Sequence, residues 1–127
     1  MGTFAPDDFG NFANEGAMDY LSMLTARLVA TITEVCADEE RLALDEDGET
    51  LLMPSVEILA LLCERYGVAP PRPATVRQWR DKYLAVYDAS IDALRPRRTP
   101  EFKAGRRKAI DQTFRWLEGL AESHWDE

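Results

Sequence analysis

Histidine, cysteine and long apolar runs are what this 127-residue chain has least of, and each scarcity removes a class of protein. His124 is the single histidine and stands three residues from the end, so it is expected in a fraying tail and multi-histidine metal sites are ruled out. A hydrolase triad would have to recruit that tail residue as its base, and no G-x-S-x-G elbow is present. The two cysteines, Cys36 and Cys63, lack C-x-x-C spacing and read as reduced thiols serving as small core hydrophobes, with a disulfide or redox pair as the alternative. The longest apolar runs, such as Ile58 to Cys63, fall far short of the ~20 residues of a membrane helix. Scattered glycines form neither a P-loop nor G-x-G-x-x-G, and nothing calls for a cofactor. The opening Met-Gly-Thr-Phe-Ala-Pro has no basic and apolar leader, and Pro6 stands where myristoylation needs Ser or Thr. A cytoplasmic protein is therefore expected.

What the chain does contain is the composition of one globular domain: 46% apolar and 30% charged residues, long enough for an ordinary core. Its net charge of -8 is unevenly spread. Residues 1 to 64 hold 14 acids and 2 bases, whereas residues 65 to 127 hold 9 acids and 13 bases. The total disfavours nucleic-acid binding, which needs a dominant positive field.

Periodicity predicts an all-α, bundle-like single domain of about four helices. Residues 1 to 13, with Phe4, Phe9 and Phe12, form an aromatic arm expected to pack on the helices. The first helix is predicted from Glu15 to Ala37, capped by Asn14, with Ala17, Tyr20, Leu21, Leu24, Leu28, Ile32 and Val35 toward the core. An acidic segment follows over 38–50. Leu42, Leu44, Thr50 and Leu52 alternate around the Asp47-Gly48 turn signal, so a plain loop and a tiny β-hairpin over 42–52 both fit. The second helix should run from Pro54 to Tyr66, with Gly67 as C-cap. Ile58 and Leu61 lie outside its main stripe, which implies packing on more than one side. After the stiff connector "GVAPPRPAT", a third helix is predicted over Thr75 to Leu94, facing inward with Val76, Trp79, Tyr83, Tyr87, Ile91 and Leu94. The fourth has Thr99 as N-cap, Pro100 as first residue and Phe102, Ile110, Phe114, Leu117 and Leu120 as its stripe, to about Glu122.

"GNFANEGAMDYL" at 10–21 follows the pattern G-x-F-x-N-[DE]-x-A-x-D-[aromatic]-L, and "SVEILALL" supplies a second segment at Val56, Glu57, Ile58, Leu59 and Ala60. With "MGTF" at the start and Trp116-Leu117 near the end, the chain resembles the small bacterial proteins grouped as DUF4259. Phe4 stands where that family usually has Trp, "APDDF" replaces its glycine-rich segment, and the connector at 69–73 has no counterpart. The resemblance implies a helical fold and a bacterial source, and it implies no activity.

Paired acids are the remaining candidates for chemistry. Glu15 with Asp19, Asp88 with Asp92, and Glu57 with Glu64 each share a helical face, as acid–base or cation-binding carboxylates would. Capping and solvated faces explain the same spacings. Glu57, on an otherwise apolar helix, is open to three readings: exposure, an ion pair with an arginine, or a site role. "LDEDGET" imitates a calcium loop, but that register puts Ala43 and Pro54 where carboxylates are required. Asp38, Glu39, Glu40, Asp45, Glu46, Asp47 and Glu49 form a dense acidic run relieved by Arg41. Arg95, Arg97, Arg98, Lys103, Arg106, Arg107 and Lys108 form a basic one. The runs can oppose each other within the fold, or the acidic one can dock a basic partner.

The expectation is a non-enzymatic protein-binding domain, of the immunity type that neutralises a partner toxin. Its partner would present a basic surface, with neither nucleic acid nor membrane involved and the oligomeric state open. A small enzyme or ligand binder using helix carboxylates, and a self-associating structural protein, are the alternatives.

Overall fold

The computed structural model describes residues 15–42, 47–94 and 99–125. They are almost wholly helical, with no strand among the described residues. Helix α1 spans Glu15–Cys36, a single turn α2 spans Glu39–Leu42, and a π-helical turn at Gly48–Leu52 leads into α3, Met53–Tyr66. Helices α4, Pro73–Leu94, and α5, Pro100–His124, complete the chain. Helix α5 packs on α3 and α4, and α1 closes the bundle against the same two. None of the described helices is long and apolar enough to cross a membrane. The aromatic arm and the Asn14 cap lie outside the described residues.

Most helix ends follow from local chemistry. The Phe102 N–H donates to Thr99 Oγ1 at 3.0 Å, and Pro100 fills the first turn of α5, where its missing N–H costs nothing. Gly67 ends α3 with φ of 72°, a conformation that side chains with a Cβ resist, and its N–H donates to the Cys63 carbonyl. Helix α4 begins at Pro73, two residues before the expected Thr75, because the last connector proline already has a helical φ. The N–H groups of Thr75 and Val76 accordingly donate to the Arg72 carbonyl.

The hairpin reading is not what forms around Asp47-Gly48. Residues on either side of 43–46 are helical, and Leu42 and Leu52 are both fully buried. In the π turn the Met53 N–H donates to the Gly48 carbonyl, five residues back. Pro54, having no N–H, cannot close the α-type bond to Thr50, so the ladder changes step immediately before it. Gly48 is buried so tightly that a Cβ there would strike the Leu42 carbonyl and the Tyr83 ring. Glycine is thus required at this position for close approach rather than for a hairpin turn.

Tyr83, Tyr87 and Phe114 are the largest fully buried side chains, and the rings of Tyr83 and Phe114 meet tilted, 6.4 Å between centroids. Val76, Trp79, Ile91, Ile110 and Leu117 join them, as their spacing predicted. Three expectations fail. Tyr20 is 58% exposed, while Thr25 is buried, its hydroxyl satisfied by donating to the Leu21 carbonyl at 2.8 Å. Phe102 lies one turn into α5, short of the core, and is exposed. Ile58 and Leu61 are about half exposed, because α3 buries a single face of Ser55, Val56, Leu59, Ala60 and Cys63.

Candidate functional site

The predicted acidic dock begins where α1 ends. Asp38 caps α2: its Oδ1 accepts from the N–H groups of Glu40 and Arg41 at 3.0 and 3.3 Å. That geometry leaves the Glu39 and Glu40 side chains exposed. Neither makes an ion pair among the described residues, and neither does Glu34, also exposed, four residues before Asp38. The Arg41 guanidinium is held more firmly protonated by its hydrogen bond to Asp47, and Glu34 and Asp38 add to the effect. Spacing within the acidic run could not reveal Glu34, which joins the patch from α1.

The other members divide. Asp47 is tied to Arg41 at 2.7 Å, and Glu49 meets Arg106 of α5 at 3.3 Å. Asp45 and Glu46 lie outside the described residues, as do Arg95, Arg97 and Arg98. The two charge runs therefore touch through Glu49 and Arg106, while Glu39 and Glu40 turn outward. In the basic run, Arg107 clasps Asp88 through Nε and Nη2, at 2.9 and 3.1 Å.

The helix carboxylates do not gather in one place. Glu57 is exposed and lines an open cleft of 430 Å³ between α3 and α5, together with Glu49, Ile58 and Arg106. Glu64, two turns along α3, instead accepts from Trp116 Nε1 at 2.6 Å. Asp19 is exposed on α1 and is not part of that cleft. The side chains of Glu15 and Asp92 are not among those described. No cluster of three or more His, Cys, Asp or Glu that could hold a metal is present among the described residues. Cys36 and Cys63 are buried free thiols, both pushed up to about 11 by burial, which suits core packing and opposes nucleophilic use.

The most buried charges are ones that the sequence reading passed over. Arg80 is 8% exposed and Glu118 9%, and they pair across α4 and α5 at 2.5 Å. Arg77 adds a second bond to Glu118 at 3.1 Å and approaches Glu122 at 3.7 Å. Glu118 follows Phe114 by four residues and adjoins Leu117, so it carries the register of the apolar stripe. That register was the available signal. The cluster joins two helices and opens onto no described cleft, so it is structural.

Comparison with protein-family models, curated proteins and solved structures gave no match, leaving the residues themselves as the basis for any reading of function.

Proposed function

We propose that this chain is a non-enzymatic protein-binding domain of a bacterial cytoplasm, of the immunity type, which neutralises a toxin by covering its basic active-site surface. The observation that carries the reading is the outward acidic patch of Glu34, Glu39 and Glu40 at the junction of α1 and α2, held in shape by the Asp38 cap. Like charges left side by side repel, and a cationic surface relieves that repulsion. Complementary fields also speed encounter and fix orientation. Asp45 and Glu46 extend the proposed dock along the chain, while Asp47 and Glu49 are engaged by Arg41 and Arg106. The resemblance of "GNFANEGAMDYL" to DUF4259 supports a bacterial source and names no partner.

Co-expression with the product of the adjacent gene, followed by affinity measurement at low and high salt, tests the proposal. A stable complex is expected to weaken with salt, and Glu34→Gln, Glu39→Gln and Glu40→Gln together should slow association by about tenfold or more. Unchanged binding by that triple variant would remove the acidic dock. Absence of any complex would remove the protein-binding reading.

A further inference from the structure

The cleft between α3 and α5 is walled by Met53, Ile58, Ala109 and Ile110 and edged by Glu49, Glu57 and Arg106. Its 430 Å³ lies at the small end of ligand pockets, suited to one long side chain rather than a folded segment. Ile58 stands at its border 47% exposed, and Leu61, nearly one turn further along α3, is 49% exposed, so an apolar ridge adjoins the opening. The lining charges are not balanced. Arg106 is engaged by Glu49 at 3.3 Å, whereas the Glu57 carboxylate makes no ion pair or side-chain hydrogen bond among the described residues.

An apolar wall beside a carboxylate outside the Glu49–Arg106 pair complements a methylene stem ending in a cation. Arginine meets that description better than lysine, because its guanidinium is weakly hydrated and planar and matches a carboxylate with two parallel donors. We infer that this cleft receives an arginine side chain projecting from the basic surface of a protein partner, its stem on Met53, Ile58 and Ile110 and its guanidinium at Glu57. The source of that arginine rests on the protein-binding reading, while the recognition itself belongs to the cleft.

Titrating the full chain with N-acetyl-argininamide, followed by backbone amide NMR, tests the cleft directly. Saturable shifts are expected along 53–58 and 106–113. Glu57→Gln should weaken binding by about fivefold, the upper range for an exposed ion pair. Arg106→Ala, which removes a cation from the lining, should tighten it, and Gln78→Ala on the exposed side of α4 should leave it unchanged. Equal binding of N-acetyl-norleucinamide would overturn charge recognition, and tighter binding of an N-acetyl-glutamate amide would overturn its sign. No saturable shift, with the partner complex still forming, would sink the cleft and spare the protein-binding reading. Argininamide binding with no partner complex would overturn the protein source of the arginine.

Discussion

Trp125 Nε1 donates to the Pro70 carbonyl at 2.8 Å, fastening the end of α5 to the proline connector between α3 and α4. The Arg72 guanidinium lies 3.9 Å from the centre of the same ring, and the Trp125 N–H donates to the Ala121 carbonyl at 2.8 Å. The chain end expected to fray is instead helical through His124, whose ring meets the Trp125 ring edge-on at 4.8 Å. Extended proline backbone leaves carbonyls without helical partners, and an indole offers both a donor and a flat apolar face to such a segment.

Truncating that side chain should therefore cost more than a terminal residue normally does. Trp125→Ala is expected to destabilise the protein by about 2–3 kcal/mol, and Trp125→Phe by about 1 kcal/mol, the share of the lost Nε1 hydrogen bond. Urea unfolding measures both, and a Trp125→Ala midpoint equal to the parent's would show the lock to be idle.

The Arg80–Glu118 pair predicts an asymmetry between single and double changes. Glu118→Ala leaves the buried Arg80 with only the exposed Asp81, 3.3 Å away, as a partner, for a loss of about 3 kcal/mol, whereas Arg80→Met with Glu118→Leu should cost far less than the sum of the single changes. A double-mutant cycle in denaturant supplies the coupling. Additive losses would mean that the charges act independently.

Glycine positions should respond with opposite signs. Gly48→Ala drives a methyl into the Leu42 carbonyl and the Tyr83 ring and is expected to cost about 1–3 kcal/mol. Gly105→Ala and Gly119→Ala meet open space within α5 and should each gain about 0.5–1 kcal/mol of helix stability. Thermal melts of the three variants separate the cases.

Cys36 and Cys63 predict an alkaline loss of stability. Unfolded thiols ionise near 9.0, while burial holds the folded ones protonated to about 11. Between those values the unfolded state binds fewer protons, so stability is fully present below the lower value and falls as pH rises through the window. The same burial should make both thiols slow to alkylate at neutral pH in the folded protein and fast in urea. Measuring the urea midpoint from pH 8 to 11 in the parent and in a Cys36→Ala, Cys63→Ala variant isolates their share, which is absent if the two curves stay parallel.

The helices were readable from residue order because their causes are local. Thr99-Pro100 and Gly67 set helix ends through bonds within four residues, and Trp79, Tyr83, Tyr87, Phe114 and Leu117 recur at a spacing that allows one buried face. Tyr20, Phe102, Ile58 and Leu61 were misplaced because apolarity alone does not say how far a neighbouring helix reaches. The candidate site divided in the same way. Sequence spacing exposed the acidic run, but Glu34 joins it from α1, and pairing with Arg41 and Arg106 engages Asp47 and Glu49.

By itself, then, the sequence determined an acidic, all-α domain with four long amphipathic helices, two buried thiols and a single histidine. Only the tertiary structure decided the close fit of Gly48 against Tyr83, the buried Arg80–Glu118 pair, the Trp125 lock and the cleft beside Glu57. Helix propensity and capping act over a turn or two of chain. These four features depend on atoms brought together from distant segments, where burial and partner geometry, not residue order, determine what each side chain does.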